Sequence, residues 1–233
     1  KYRSNPSLSK PNLPGVLSYG SNQALSPLYN TSGLVGYWNF DEGSGTIAKD
    51  TSGNGNNGTW SGSGSHYTTG KVGNWAGQFA SSTGDYSTFN YISNMTSSDF
   101  STTFWVSMKS VSNMCVLLGK VYGGIAVSIF GQKLNLGNYG AGQTSVGGST
   151  IPLNQWVFIS LTYNAATHLA SAYFNGMSDG TLATPSWIYS WSNGLNSFGG
   201  AVNFWTDGNL DDVRVYNRAL SASEIQALYN ATK

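Results

Sequence analysis

From Gly33 onward, hydrophobic and polar residues alternate in short runs separated by Gly and Asn clusters. That is the pattern of antiparallel strands with one buried face. In the run 34–40, Trp38 and Phe40 share one side; in 157–163, Val157, Ile159, Leu161 and Tyr163 face one way and Ser160 and Thr162 the other. Half-buried strands account for both runs. Further strands are predicted over 103–109, 115–121, 124–130, 133–138, 169–175 and 210–216, with Asn175-Gly176 as a tight-turn dipeptide after one of them. One helix stands out: Ser221 to Glu224 reads as a capping box, and Ile225, Leu228 and Tyr229 follow at helical spacing, predicting a short amphipathic helix over 222–229.

The first 32 residues lack this periodicity. Pro6, Pro11, Pro14 and Pro27 lie among Ser, Asn and Leu, so 1–32 reads as an extended leader or linker and 33–233 as one domain. A chain of 233 residues is within reach of a single large sandwich. Many short strands and one helix make the fold class all-β, a two-sheet antiparallel sandwich.

Composition narrows the function. Only 9% of residues are charged and the formal net charge is +1, which leaves no electrostatic footprint for nucleic acid. Abundant Gly, Ser, Thr and Asn suit a turn-rich exported or surface protein. The single cysteine, Cys115, excludes an intrachain disulfide and a cysteine zinc site, and its apolar neighbours make it a buried thiol. No apolar run of about 18 residues is present, so no segment is expected to insert in a membrane. A chain opening on Lys1 suggests a processed product whose export signal or anchor lay upstream.

Two strong blocks carry a family resemblance. The first runs from Gly33 through Trp38, Phe40, Asp41 and Glu42 to the Asx/Gly loop Asp50–Gly58; the second is Leu210-Asp211-Asp212-Val213-Arg214-Val215-Tyr216 with its trailing helix. Between them stand Phe104-Trp105-Val106, Trp156-Val157 and Tyr173-Phe174-Asn175-Gly176. In this order they resemble the LamG-like jelly-roll domains of the concanavalin A-like lectin/glucanase superfamily. The resemblance implies a jelly roll whose first and last strands are neighbours, and a binding or adhesive module.

The loop 50–58 offers the carboxylate, amide and carbonyl oxygens that Ca²⁺ prefers, without being an EF-hand, since Ser61 stands where the bidentate Glu would be. The resemblance implies a structural Ca²⁺ held by Asp50, Asn54, Asn57 and Asp211, with Asp41 or Asp212 adding to them. The alternative is that Asp50 and the asparagines make Asx-turns and that Asp211 pairs with Arg214 or Arg218.

For a ligand, Trp187, Tyr189 and Trp191 recur at every second position and would form one aromatic row in an extended segment. Such a row stacks sugars when exposed and packs as core when buried; both readings are open. His66-Tyr67 with Trp60, and Trp205-Thr206-Asp207, are further candidate rims. Catalysis has little to work with. The two glutamates, Glu42 in a Gly-rich turn and Glu224 in a helix cap, do not form the strand motif of the superfamily's glucanases. His66 and His168 do not form a metal-hydrolase motif, and no Gly-x-Ser-x-Gly elbow occurs.

The expected function is therefore a non-catalytic extracellular or cell-surface module that binds glycan or a surface protein. The alternative is a structural subunit of a filament, pilus or virion, self-assembling through residues 1–32. A glycoside hydrolase ranks third.

Overall fold

The computed structural model describes residues 31–92, 98–111, 114–119, 125–138, 142–184, 195–201, 204–205 and 207–233. Residues 1–30 of the expected leader and the aromatic row Trp187, Tyr189 and Trp191 lie outside the described residues, as do the side chains of the strand that carries Cys115.

The strands in chain order are β1 Leu34–Trp38, β2 Ile47–Ala48, β3 Gly58–Ser61, β4 Tyr67–Thr69, β5 Trp75–Phe79, β6 Tyr86–Ile92, β7 Phe100–Met108, β8 Met114–Gly119 and β9 Ile125–Phe130. They continue as β10 Lys133–Asn138, β11 Gly142–Ser145, β12 Val157–Asn164, β13 Leu169–Phe174, β14 Met177–Ala183, β15 Leu195–Phe198, β16 Gly200–Ala201, β17 Phe204–Trp205 and β18 Gly208–Tyr216, before helix α1 Ala222–Thr232. Two antiparallel sheets form a jelly-roll sandwich. One runs β14-β13-β12-β7-β18-β5-β4 with β1 also on β18; the other runs β11-β10-β9-β8-β15-β6-β3-β2.

The sealed interior follows from the period-2 pattern. Trp38 of β1 meets Phe89 of β6 and Phe198 of β15 at 4.7 Å each, and Phe40 meets Phe198 at 5.7 Å, so the first aromatic block ties one sheet to the other. Val157, Ile159, Leu161 and Tyr163 join this core, as their alternation predicts.

The polar side of β12 differs from the expectation. Phe158, Ser160 and Thr162 are buried too, and β7 is buried at every position. The reason is α1, which lies over the outer face of that sheet: Tyr229 packs 5.9 Å from both Trp105 and Phe158, and Trp105 Nε1–H donates to Thr232 Oγ1 at 3.0 Å. Ile225 and Leu228 seat the helix on this second apolar layer. Its start is a full capping box, with Ser221 and Glu224 bonding each other's backbone.

The β13–β14 hairpin turns on Asn175 and Gly176, with φ of 49° and 77°, as the Asn-Gly dipeptide predicts. Asn175 also bonds β12, its N–H donating to Phe158 O at 2.8 Å and its Oδ1 accepting Phe158 N–H at 3.0 Å.

Candidate binding site

The two strong blocks meet along β18. On one edge β18 pairs with β7 throughout; on the other it pairs first with β5, through residues 208–210, and then with β1, from Val213 to Tyr216. Where the partner changes, the ladder to β7 shifts register between Asp211 and Arg214, and Asp212 takes a left-handed conformation with φ of 52°. A bulge of this kind re-aims side chains, and aspartate tolerates it because its short polar side chain can hydrogen-bond locally.

Asp211, fully buried, points its carboxylate into the loop between β4 and β5. Its Oδ2 accepts the N–H groups of Lys71 and Val72 at 2.7 and 2.9 Å. Its Oδ1 is buried without a hydrogen-bond partner. Burial, with the nearby charge of Asp212 adding to it, pushes the carboxyl up from 3.8 to about 7 against the pull of those N–H bonds. Asp41, from the first block, holds the other end of the same loop: its Oδ1 accepts the N–H groups of Asn74 and Trp75 at 2.7 and 3.0 Å. The loop 70–75 is thus clamped by two carboxylates from opposite ends of the domain.

Asp211 does not pair with either arginine. Arg214 goes to Asp212, whose other oxygen accepts Tyr37 Oη–H at 2.7 Å, and the guanidinium lies 4.3 Å over the Tyr37 ring. Arg218 pairs with Glu224 at 2.7 Å, holding that carboxyl down at about 2.

The loop 50–57 runs along the open edge of β1, as a strand would. Asn54 and Asn56 donate their side-chain N–H to the carbonyls of Leu34 and Val35 at 3.0 and 2.8 Å. Asp50 Oδ1 accepts Tyr37 N–H at 2.9 Å, and Thr51 N–H donates to Tyr37 O at 2.7 Å. Asp50 also accepts Ser52 and Asn56 N–H, an Asx-turn, while Asn57 Oδ1 accepts Asp50 N–H at 2.9 Å. Side-chain amides here satisfy main-chain groups that an edge strand would otherwise expose. Asn56, absent from the expected ligand set, is as much a part of this cap as Asn54.

The four residues expected to share a calcium ion therefore work in two separate sets: Asp50, Asn54 and Asn57 on the β1 edge, and Asp211 on the 70–75 loop. Among the described residues, no group of three or more His, Cys, Asp or Glu stands together to hold a metal. The feature that suits a cation, among the described residues, is Asp211 Oδ1, a buried carboxyl oxygen with no hydrogen-bond partner.

Trp60 and Tyr67, expected as a rim, are core residues at 5% exposure, with His66 stacked on Trp60 at 4.9 Å and Trp60 Nε1–H bonded to Tyr67 Oη. Of the third rim, the Trp205 side chain lies outside the described residues. The exposed indole at this end of the molecule is Trp75, 41% exposed. No periodic partner marks it in the sequence.

Solved structures of the same fold include domain 4 of AbnA, an extracellular arabinanase from Geobacillus stearothermophilus, in complex with arabinotriose. That likeness has a TM-score of 0.66 at 20% identity over 84% of this chain and 98% of that one. The binding domain of Paraclostridial Mosquitocidal Protein 1 follows at TM-score 0.64 and 18% identity, covering 85% and 52%. The binding domain of botulinum neurotoxin DC, in complex with rat synaptotagmin II, gives 0.66 and 13%, covering 86% and 52%. The chain thus spans about half the length of these toxin domains, and the likenesses show the fold. No curated protein matches the sequence. A family profile matches residues 81–226, more than half of the chain, and with the jelly roll and adjoining first and last strands it places this protein in the laminin-G branch of the Concanavalin A-like lectin/glucanases superfamily.

Proposed function

We propose that this protein is a non-catalytic module that binds neutral glycan outside the cell. The observation that carries the reading is the employment of its carboxylates. Asp41, Asp50, Asp85, Asp99 and Asp211 accept main-chain N–H groups; Asp179 accepts Ser149; Asp212 takes Tyr37 and Arg214. Glu42 holds Lys49 N–H and Tyr67 Oη–H, and Glu224 caps α1. A glycosidase needs two carboxyl groups facing a substrate, about 5 Å apart or about 6.5–9.5 Å apart. These nine of the chain's ten carboxylates are engaged by protein donors, and a composition with 9% charged residues leaves mostly neutral hydroxyl and amide groups to meet a ligand.

Two structural neighbours supply context. The arabinanase domain was solved with arabinotriose, and the toxin binding domain, about half of which shares this fold, with synaptotagmin. The near-absence of charge, 9% of residues, favours the sugar. No helix among the described residues is long and apolar enough to cross a membrane. The aromatic row Trp187, Tyr189 and Trp191 stays a proposed part of the ligand surface. Self-assembly through residues 1–32 is the second proposal.

Calcium is proposed at Asp211 alone of the expected set, because a cation beside Oδ1 would neutralise a buried carboxylate that otherwise keeps its proton. Adding calcium after chelation should then raise the thermal midpoint, and an unchanged midpoint would remove the metal from the account. The functional reading is tested with an array of neutral oligosaccharides, including arabinotriose, xylotriose and maltotriose. Retention of at least one class supports it, and an empty array refutes it.

A further inference from the structure

We propose that Trp75 is the floor of a sugar subsite, a single fixed indole on which one neutral sugar ring of the ligand stacks. The inference rests on the glycan reading and gives it a location. Trp38, Trp60 and Trp105 are 0%, 5% and 3% exposed, as core residues are; Trp75 shows 41% of its surface to solvent.

The ring is exposed yet not loose. The main-chain N–H of Trp75 is bonded to Asp41 Oδ1 at 3.0 Å, and the residue is paired in register with Thr69, which fixes the backbone that carries the ring. The indole rests against Gly43, where an added Cβ would come within 2.6 Å of Nε1 and Cε2, and where φ is +66°. Gly43 thus supplies a backing that no other residue could, and the remaining surface of the ring is presented to solvent. Preorganisation of this kind lowers the ordering cost of binding.

The surroundings fit a polyhydroxyl ligand. Asn74 precedes the ring in the chain, Thr69 faces it across the hairpin and Ser44 follows Gly43; all three are exposed and carry hydroxyl or amide groups. The carboxylates beside the ring, Asp41 and Glu42, have oxygens already engaged by protein donors, so their role here is to hold the loops around the ring. A protein interface would need on the order of 1,000 Å² of buried surface. Among the described residues the other exposed large apolar side chains are Ile47 on β2 and Val111, Phe130, Leu169 and Met177 on further strands and loops, whereas one indole matches one sugar ring.

The test compares wild type, Trp75→Ala and Trp75→Phe on arabinotriose, xylotriose and maltotriose, with ¹⁵N spectra of the indole N–H groups of the wild type. Trp75→Ala should weaken binding of whichever trisaccharide is held by roughly tenfold or more. Trp75→Phe should retain most of it, and the Trp75 indole signal, assigned by its loss in the Phe variant, should shift on titration. Binding by Trp75→Ala equal to wild type, or an unmoved Trp75 signal while sugar binds, overturns the subsite and leaves the glycan module standing. A wild type that holds none of the sugars on the array overturns both. Should Trp75→Ala fail to fold, the wild-type indole shift decides.

Discussion

At the scale of single residues, the most informative group is Asp211. Its carboxyl is raised from 3.8 to about 7 by burial, so the folded state holds a proton that the unfolded chain releases. The stability from that proton is fully present below pH 3.8 and is lost as pH rises through about 7, a change of up to about 4 kcal/mol. Measured in chelator, denaturant midpoints of the wild type should fall between pH 4 and 7, while those of Asp211→Asn, whose amide oxygen can still accept the Lys71 and Val72 N–H groups, should fall less across that range, the neighbouring Asp212 still being raised by burial. Glu224 acts the other way in a lower window: its carboxyl, held down at about 2 by Arg218, adds stability above 4.5 that disappears as pH falls through 2. Two buried hydroxyls give a contrasting prediction. Thr103 Oγ1 and Ser160 Oγ, on paired positions of β7 and β12, have no partner. Replacing Thr103 by Val should therefore be neutral or stabilising by up to about 1 kcal/mol in a urea melt, because no hydrogen bond is broken and a desolvated polar atom is removed.

At the scale of elements, the loop 50–57 substitutes for an edge strand. Asp50→Ala removes the acceptor of three main-chain N–H groups, those of Tyr37, Ser52 and Asn56, and should destabilise the domain by about 2–4 kcal/mol in a denaturant titration. It should also raise hydrogen exchange at Tyr37 selectively. Helix α1 matters for a different reason: it seals the outer face of a sheet that already has a full inner core, so Leu228→Ala should cost about 2–4 kcal/mol. These elements differ in how far the sequence declared them. The strands over 100–174, the Asn175-Gly176 hairpin and the capping box are specified by neighbours in the chain, through alternation, turn chemistry and an i, i+3 signal. β2 to β5 are two to five residues long and rich in Gly, Ser and Thr; β5 and β3 are strands because β18 and β6 pair with them, and β4 and β2 add to their edges. The burial of the Ser160 face had no local mark either, because it depends on where α1 lands.

At the scale of the whole molecule, β18 is the organiser. It pairs with β7 on one side, takes β5 and then β1 on the other, and at the change of partner sends Asp211 into the loop that Asp41 holds from the first block. The family blocks made the meeting of the two ends readable from sequence. Which carboxylates meet there was not readable, because Asp41 and Asp50 lie nine positions apart in one Gly-rich stretch, and only the fold sends Asp41 to Asn74 and Trp75 and Asp50 to Tyr37. Nothing in the sequence marks Trp75, because a lone aromatic in a Gly-rich stretch has no periodicity and the Gly43 against which its ring rests lies in a distant turn. The proposed module is thus a two-sheet frame, most of whose carboxylates are engaged by protein donors, with a neutral ligand surface and the Trp75 indole at its rim. Incubating the intact chain with the neutral polysaccharide it retains best, and measuring both pull-down and new reducing ends, tests that claim directly. Retention without release is the predicted result; steady release of reducing sugar would contradict it.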